Sequence, residues 1–364
     1  MNILVSLVSG QTIPNVQFIK SKNDEIDGYL FLTTQQMEKR GNRVWILDSL
    51  GISEEDIDPP LIVDEYSFKD IEEKLSDRVT DENHYIVNLT GGTKIMSLAV
   101  RDFFKDMDAE MYYLPGNRTE IKVHPGKNKT VKPLEINLSL EEYLKAYGFN
   151  LHKKSSPCFD FETNSKILDY FLNGHDPDKD KEALEYLRKK RGKKIGDLSH
   201  KNAFEVKAFI ERLKIKTTET NTLNEEEVKS LSGEWLEDYL FQYIINEFDV
   251  PEDAIGLGLV VIKNDVRNEF DVLLMKNDRL YLFECKTSIF INEETQKTFI
   301  GETIYKSDSL RNKFGLFTQT VIVTLSDLQG DSMKKHIDRA NVSRVKLIDR
   351  NGFVEGLKEA LIKI

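Results

Sequence analysis

Apolar positions along the chain gather into short runs in two regions, with a more polar, helix-patterned stretch between them. In the first 150 residues the runs fall at 3–8, 29–32, 44–47, 61–63, 85–89 and 111–114, each short enough for a strand. Helical patterns lie between several of them, for example over 67–75 and 94–104. Continuous apolar strands alternating with helices predict a mostly parallel sheet covered on both faces, a Rossmann-like α/β domain over 1–150. A final strand and helix around 135–147 would close it. Residues 151–223 read as a helical connector, with Pro157 and the polar run 173–181 as punctuation and a basic run at 188–194.

A second α/β pattern fills 224–364. Ser232 is placed to cap a helix over 233–248, in which Trp235, Leu236, Tyr239, Leu240, Tyr243 and Ile244 keep the helical period. Strands are expected at 258–262, 269–275 and 280–287, then a helix over 298–314 stopped by Gly315, then a strand at 320–325. The sequence therefore predicts two α/β domains joined by helices.

Composition narrows the class. At 364 residues with 40% hydrophobic and 31% charged positions, the chain has enough apolar material for ordinary cores. Its net charge of −11 means that any polyanion must be held by a local basic surface. Two cysteines, Cys158 and Cys285, offer neither a disulfide framework nor zinc spacing, and the six histidines show no paired motif. The apolar N-terminus reads as a first strand rather than a signal peptide, and no run reaches the roughly 18 apolar residues of a membrane span. A soluble cytoplasmic protein is the expectation.

Candidate chemistry appears first in the C-terminal half. Asp271 follows Asn268-Glu269-Phe270, and 13 residues later Glu284 opens Glu284-Cys285-Lys286. That separation suits adjacent antiparallel strands joined by the turn at 276–278. Alternation along a strand puts Glu284 and Lys286 on one face with Cys285 on the other. Two carboxylates on neighbouring strands can hold a hard divalent ion such as Mg²⁺ or Mn²⁺ through oxygen. The ion and the lysine together would orient and polarise a water for attack on phosphate. Glu234, on the preceding helix, is a candidate third carboxylate and metal ligand. The strand before Glu284 is apolar on both faces, so charges only at its end fit a site better than a solvated stripe. Lys306, Arg311 and Lys313 could meet substrate phosphates, or form a solvated helix face.

In the N-terminal half, the strand at 85–89 runs into Thr90-Gly91-Gly92-Thr93-Lys94 and a helix. Glycines allow close backbone approach and a helix N-terminus favours an anion, so Thr90, Thr93 and Lys94 are candidate donors to a ligand. The spacing is neither that of a phosphate-binding P-loop nor that of a dinucleotide fingerprint. The first strand ends at Ser9-Gly10-Gln11-Thr12, and both turns would lie at the carboxyl ends of parallel strands, where such sheets bind ligands.

These two sets carry a resemblance. The segment from Asn88 to Lys94, with residues 6–15, resembles the CARF domains that sense cyclic oligoadenylates. The ordered set of helix Glu, Asp271 and Glu284-x-Lys286 resembles PD-(D/E)xK nucleases, with Phe270 where that motif has proline. The joined pattern is similar to the compact CARF nucleases of Can2 or Card type from type III CRISPR systems. The resemblance implies a homodimer that binds cyclic tetra-adenylate across its two-fold axis and then cuts DNA or RNA with Mn²⁺ or Mg²⁺, in antiviral defence. It implies metal ligation by Asp271 and Glu284 and a catalytic Lys286. Two other readings remain open on the residues alone. One is a non-enzymatic sensor or regulator of CARF type. The other is a constitutive repair or restriction nuclease.

Overall fold

The computed structural model describes residues 1–116, 119–123, 130–200, 203–287, 301–306, 313–316, 318–329 and 333–362. Two units emerge: Met1–Asn150 with 262–265 and 314–316, and a second made of 151–261, 266–313 and 317–364.

The first unit is built on a seven-stranded sheet in the order β3-β2-β1-β4-β5-β6-β7. Its strands are β1 (Asn2–Leu7), β2 (Gly28–Thr33), β3 (Leu61–Ile62), β4 (His84–Asn88), β5 (Ala109–Tyr113), β6 (Thr119–Val123) and β7 (Thr130–Pro133). The first five pair in parallel, and β6 and β7 add an antiparallel edge. Helices α1 (Ile13–Lys22), α2 (Gln35–Arg40), α3 (Asn42–Leu50), α4 (Phe68–Ser76), α5 (Lys94–Phe104) and α6 (Leu140–Ala146) accompany it. Ile71 and Leu75 of α4 and Met96, Val100 and Phe104 of α5 are fully buried against Val5, Leu7 and Val87. Each such side chain contributes about 1.5–3 kcal/mol by leaving water.

The structure departs from the expected elements at 44–47 and at 135–139. The apolar run 44–47 lies inside α3, not in a strand, because Gly41 and Gly51, both at positive φ, bracket a nine-residue helix around it. A four-residue apolar run cannot by itself separate strand from helix. No strand forms at 135–139; those residues lead into α6, which Ser139 and Glu142 start with a reciprocal capping box.

The second unit carries a six-stranded sheet in the order β13-β12-β11-β10-β9-β8. The strands are β8 (Asn150–Ser155), β9 (Ile255–Lys263), β10 (Val266–Lys276), β11 (Arg279–Lys286), β12 (Thr318–Thr324) and β13 (Val345–Ile348). Its helices are α7 (Phe161–Asp169), α8 (Pro177–Lys189), α9 (Phe204–Leu213), α10 (Glu225–Lys229), α11 (Trp235–Glu247), helical residues 301–306 (α12), α13 (Lys334–Val342) and α14 (Phe353–Ile362). Strands β10 and β11 are antiparallel, with Asn277 and Asp278 both at positive φ in a two-residue turn. Strands β11, β12 and β13 are parallel. Trp235, Leu236, Tyr239 and Leu240 of α11 pack on Val272, Leu274, Tyr281 and Phe283. The helices of 151–223 share that core: Phe171 stacks on Trp235 with ring centroids 5.2 Å apart, and Leu187, Val206 and Phe209 join the cluster. The expected helix at 298–314 begins in residues outside those described. The elements after 325 have no counterpart among those expected from the sequence.

Candidate functional site

Strands β1 and β4 are neighbours, and the chain leaves them in opposite directions across the sheet. The loops that follow them, 9–12 and 90–94, therefore flank the switch point where doubly wound sheets take ligands. Gly91 packs against β1 so closely that a Cβ there would stand 1.8 Å from the Leu7 carbonyl oxygen. Gly92 has φ +69°. This pair lets the 90–94 loop pack against the end of β1.

The polar residues of these loops divide by their partners. Thr12 is buried and donates to the Ala146 carbonyl. Thr90 Oγ1 accepts the Leu114 N–H at 2.9 Å. Thr93 caps α5 by accepting the Met96 N–H at 3.2 Å and donates to the Glu65 carbonyl at 3.0 Å. Gln11 Oε1 accepts from the Tyr147 hydroxyl at 3.1 Å. Ser9 donates to the Gln11 carbonyl at 3.0 Å. These contacts shape the loops, while Gly10 and Lys94 are exposed.

The second constellation forms where β10 and β11 end. Just past the Val272–Phe283 pair, Asp271 Oδ2 accepts the Cys285 N–H at 2.6 Å. Lys286 Nζ lies 2.6 Å from Glu284 Oε1 and 3.7 Å from Asp271 Oδ2, so one ammonium faces both carboxylates. Their side chains are only 16% (Asp271) and 15% (Glu284) exposed. Burial, then the Glu284 charge, pushes the Asp271 carboxyl up to about 6. Burial works against the Lys286 charge, but Asp271 and Glu284 outweigh it and hold the ammonium above the ordinary lysine value. Lys286 thus stays a cation at neutral pH.

Lys306 Nζ lies 3.9 Å from Glu284 Oε1. Lys313 is exposed, and Arg311 falls outside the described residues. Cys285 is buried on the opposite face, which raises its thiol well above the ordinary range. It is a core residue.

A helix carboxylate that feels this group and lines the same cavity is Glu237, which is not among the residues that the sequence pattern singles out. Burial, then Asp271, then Glu234 raise its pKa well above the ordinary value. Glu234 lines the same cavity, but its Oε1 is 2.7 Å from Arg191 NH2. Ser232 does not cap α11; it donates to the Lys229 carbonyl at 2.8 Å inside an irregular turn, where Gly233 has φ +148°. A Cβ on Gly233 would lie 2.9 Å from Thr287 Oγ1, so this glycine lets the helix start pass close to the end of β11. The sequence does hold a signal for Glu237. It stands three residues before Leu240 and seven before Ile244, in phase with the buried stripe of α11.

The donor set suits a hard divalent cation. Asp271 and Glu284 bring two buried carboxylates together at a cost that a cation would offset, and both offer oxygen. Among the described residues no three His, Cys, Asp or Glu side chains form a group that could hold a metal ion. A cavity of about 670 Å³, lined by Glu237, Asp271 and Lys286, opens beside them.

Fold and site together define a two-part protein in which a Rossmann-like CARF domain precedes a restriction-endonuclease-like domain. Residues 3–143 match the Card1 CARF domain, and residues 224–362 match the Card1-like endonuclease domain. The chain therefore belongs to the Card1-like CARF endonucleases. The structure of Can2 from Sulfobacillus thermosulfidooxidans in complex with cyclic tetra-adenylate matches 99% of this chain and 99% of that one, at 20% identity and a TM-score of 0.73. The protein VC1899 from Vibrio cholerae matches 100% of this chain over 97% of its own, at 18% identity and a TM-score of 0.72. A type III CRISPR defence DNA nuclease activated by cyclic oligoadenylate matches 89% of this chain over 45% of its own, at 16% identity and a TM-score of 0.51. At these identities the likeness is one of fold. A comparison with curated protein sequences finds no match. No helix among the described residues is long and apolar enough to cross a membrane.

Proposed function

We propose that the protein is a nuclease of type III CRISPR defence, switched on by cyclic tetra-adenylate and cutting DNA or RNA with Mn²⁺ or Mg²⁺. The observation that carries this is the pairing in one chain of a Card1-type CARF domain with the Asp271, Glu284 and Lys286 group. The sensor loops are Ser9, Gly10, Gln11 and Thr12 with Thr90, Gly91, Gly92, Thr93 and Lys94. The exposed Lys94 at the start of α5 supplies a cation for a ligand phosphate, aided by the helix N-terminus.

A ring of four adenylates suits a two-fold assembly in which each subunit offers the same loops, so the active form is read as a homodimer. Tyr66, Phe68 and Leu98, exposed on and beside α4 and α5, give apolar surface for it. A site of action in the cytoplasm follows from the proposed activator and substrate.

In the catalytic half, Asp271 and Glu284 would hold the divalent ion, which when bound polarises the scissile phosphate and lowers the pKa of a coordinated water. Lys286, kept protonated by the two carboxylates, binds and orients the negatively charged phosphate. Glu237 is the candidate helix acid, its pKa raised well above the ordinary glutamate value by burial and by Asp271, and it follows the Gly233 turn in the chain. Titration calorimetry of the full chain with cyclic tetra-adenylate tests the sensor directly. One ring bound per two chains is the expected stoichiometry, and absence of binding would remove the activator from the account.

A further inference from the structure

The cavity beside Asp271 has a second chemistry that the catalytic group does not use. Arg188 and Arg191, from the end of α8 and the turn after it, line the cavity together with Lys153 of β8 and Lys229 of α10. The lining also holds six carboxylates, and Lys229 is paired with Glu226 at 2.8 Å, so the two arginines carry the case for an anion. Both arginines belong to the stretch between the two domain matches, which end at 143 and resume at 224.

Within this group one contact is specific. The Arg191 guanidinium is held by Glu234 at 2.7 Å, with the arginine side chain 52% exposed and the glutamate 32%. Burial, then repulsion from Arg191, pulls the Arg188 pKa below the ordinary arginine value, against the help of Glu185. Two guanidiniums sharing one cavity repel each other, and an anion between or beside them relieves that repulsion. An exposed ion pair is weak, so a stronger bidentate acceptor such as a phosphodiester can displace it.

We infer that residues 151–223 supply the substrate-backbone groove of the nuclease, in which Arg191 grips a phosphodiester and Glu234 is the counter-ion that the phosphate displaces. This rests on the nuclease reading for its substrate, but its observables are those of binding. Glu234 becomes a positioning residue that holds the Arg191 guanidinium in place until substrate arrives.

The test uses the full chain with cyclic tetra-adenylate and labelled single-stranded DNA and RNA oligonucleotides. Binding is read without divalent metal over a salt series, and cleavage separately with Mn²⁺. Arg191→Ala weakens binding and lowers the slope of log affinity against log salt by about 0.7, one single-strand phosphate contact, while Arg191→Lys restores much of the slope. Glu234→Gln tightens binding by up to about fivefold, the range that an exposed ion pair opposes. An unchanged slope in Arg191→Ala, with thermal melting showing a folded protein, overturns the groove. Loss of kcat in Glu234→Gln with unchanged binding overturns the counter-ion role and returns Glu234 to catalysis. Should the wild type bind with these shifts yet never cut, the groove stands and the nuclease reading falls.

Discussion

The Asp271 carboxylate accepts the backbone N–H of Cys285 at 2.6 Å, so the side chain of one strand is tied to the residue between Glu284 and Lys286 on the next. That bond fixes the distance between the two candidate metal ligands through the backbone rather than through flexible side chains. A site held this way is preorganised before any ion arrives.

The first prediction concerns that pair. Glu284→Gln should abolish detectable cleavage and leave activator binding intact, because the change lies in the second unit. Lys286→Ala should lower kcat on the order of 10²–10³-fold, as loss of a preorganised electrostatic contact does. Cleavage by Glu284→Gln at the wild-type rate would remove the assigned site.

The second prediction follows from Asp238, whose Oδ2 accepts the Cys158 N–H at 2.9 Å. Burial pushes its carboxyl from the ordinary 3.8 up to about 7, against the pull of that hydrogen bond. The folded state therefore binds the proton more tightly than the unfolded chain. Its contribution to stability is fully kept below about 4 and is lost as pH rises through about 7. Asp238→Asn retains an acceptor for Cys158, so it should melt above the wild type at pH 8 and lose that advantage near pH 4. Melting curves across pH check the sign, and equal curves at pH 8 would contradict it.

A third prediction separates two glycines of the sensor loops. Gly91→Ala places a Cβ 1.8 Å from the Leu7 carbonyl oxygen, so it should destabilise the first unit by about 1–3 kcal/mol or more. A Cβ added at Gly10 would meet nothing within 4 Å, so Gly10→Ala should melt like the wild type. Any loss of activator affinity in Gly10→Ala then reports on the ligand. Differential scanning fluorimetry with calorimetry distinguishes the two.

Much of the fold and site is legible in the sequence. The Gly-Gly turn and the end of β1 announce themselves because a helix start, two glycines and a strand end occupy consecutive positions. Asp271 and Glu284-x-Lys286 are readable because strand alternation is strict and the Asn277-Asp278 turn fixes the register. Helix phase at Gly233 is not. Its φ of +148° breaks the helix just before Glu234, and nothing in the local pattern signals that break, while Glu237, in phase with Leu240 and Ile244, is the helix carboxylate whose pKa Asp271 raises. The partner of Glu234, Arg191, is 43 residues distant, and no local pattern encodes that contact.

The fourth prediction tests that irregular turn. Gly233→Ala meets Thr287 Oγ1 at 2.9 Å and demands a backbone angle that alanine rarely adopts. The start of α11 should shift and carry Glu234 and Glu237 with it, lowering kcat and also altering substrate affinity through the Arg191 contact of Glu234. A change in affinity alone would place the effect elsewhere.

The most direct test of the central claim is cleavage of labelled single-stranded DNA and RNA by the full chain with Mn²⁺, with and without cyclic tetra-adenylate. Cutting only when the ring is added is the predicted result, and it requires both the sensor loops and the Asp271–Glu284–Lys286 site to work. Equal cutting without the ring would contradict ligand control, and no cutting with it would contradict the proposed activator-switched nuclease.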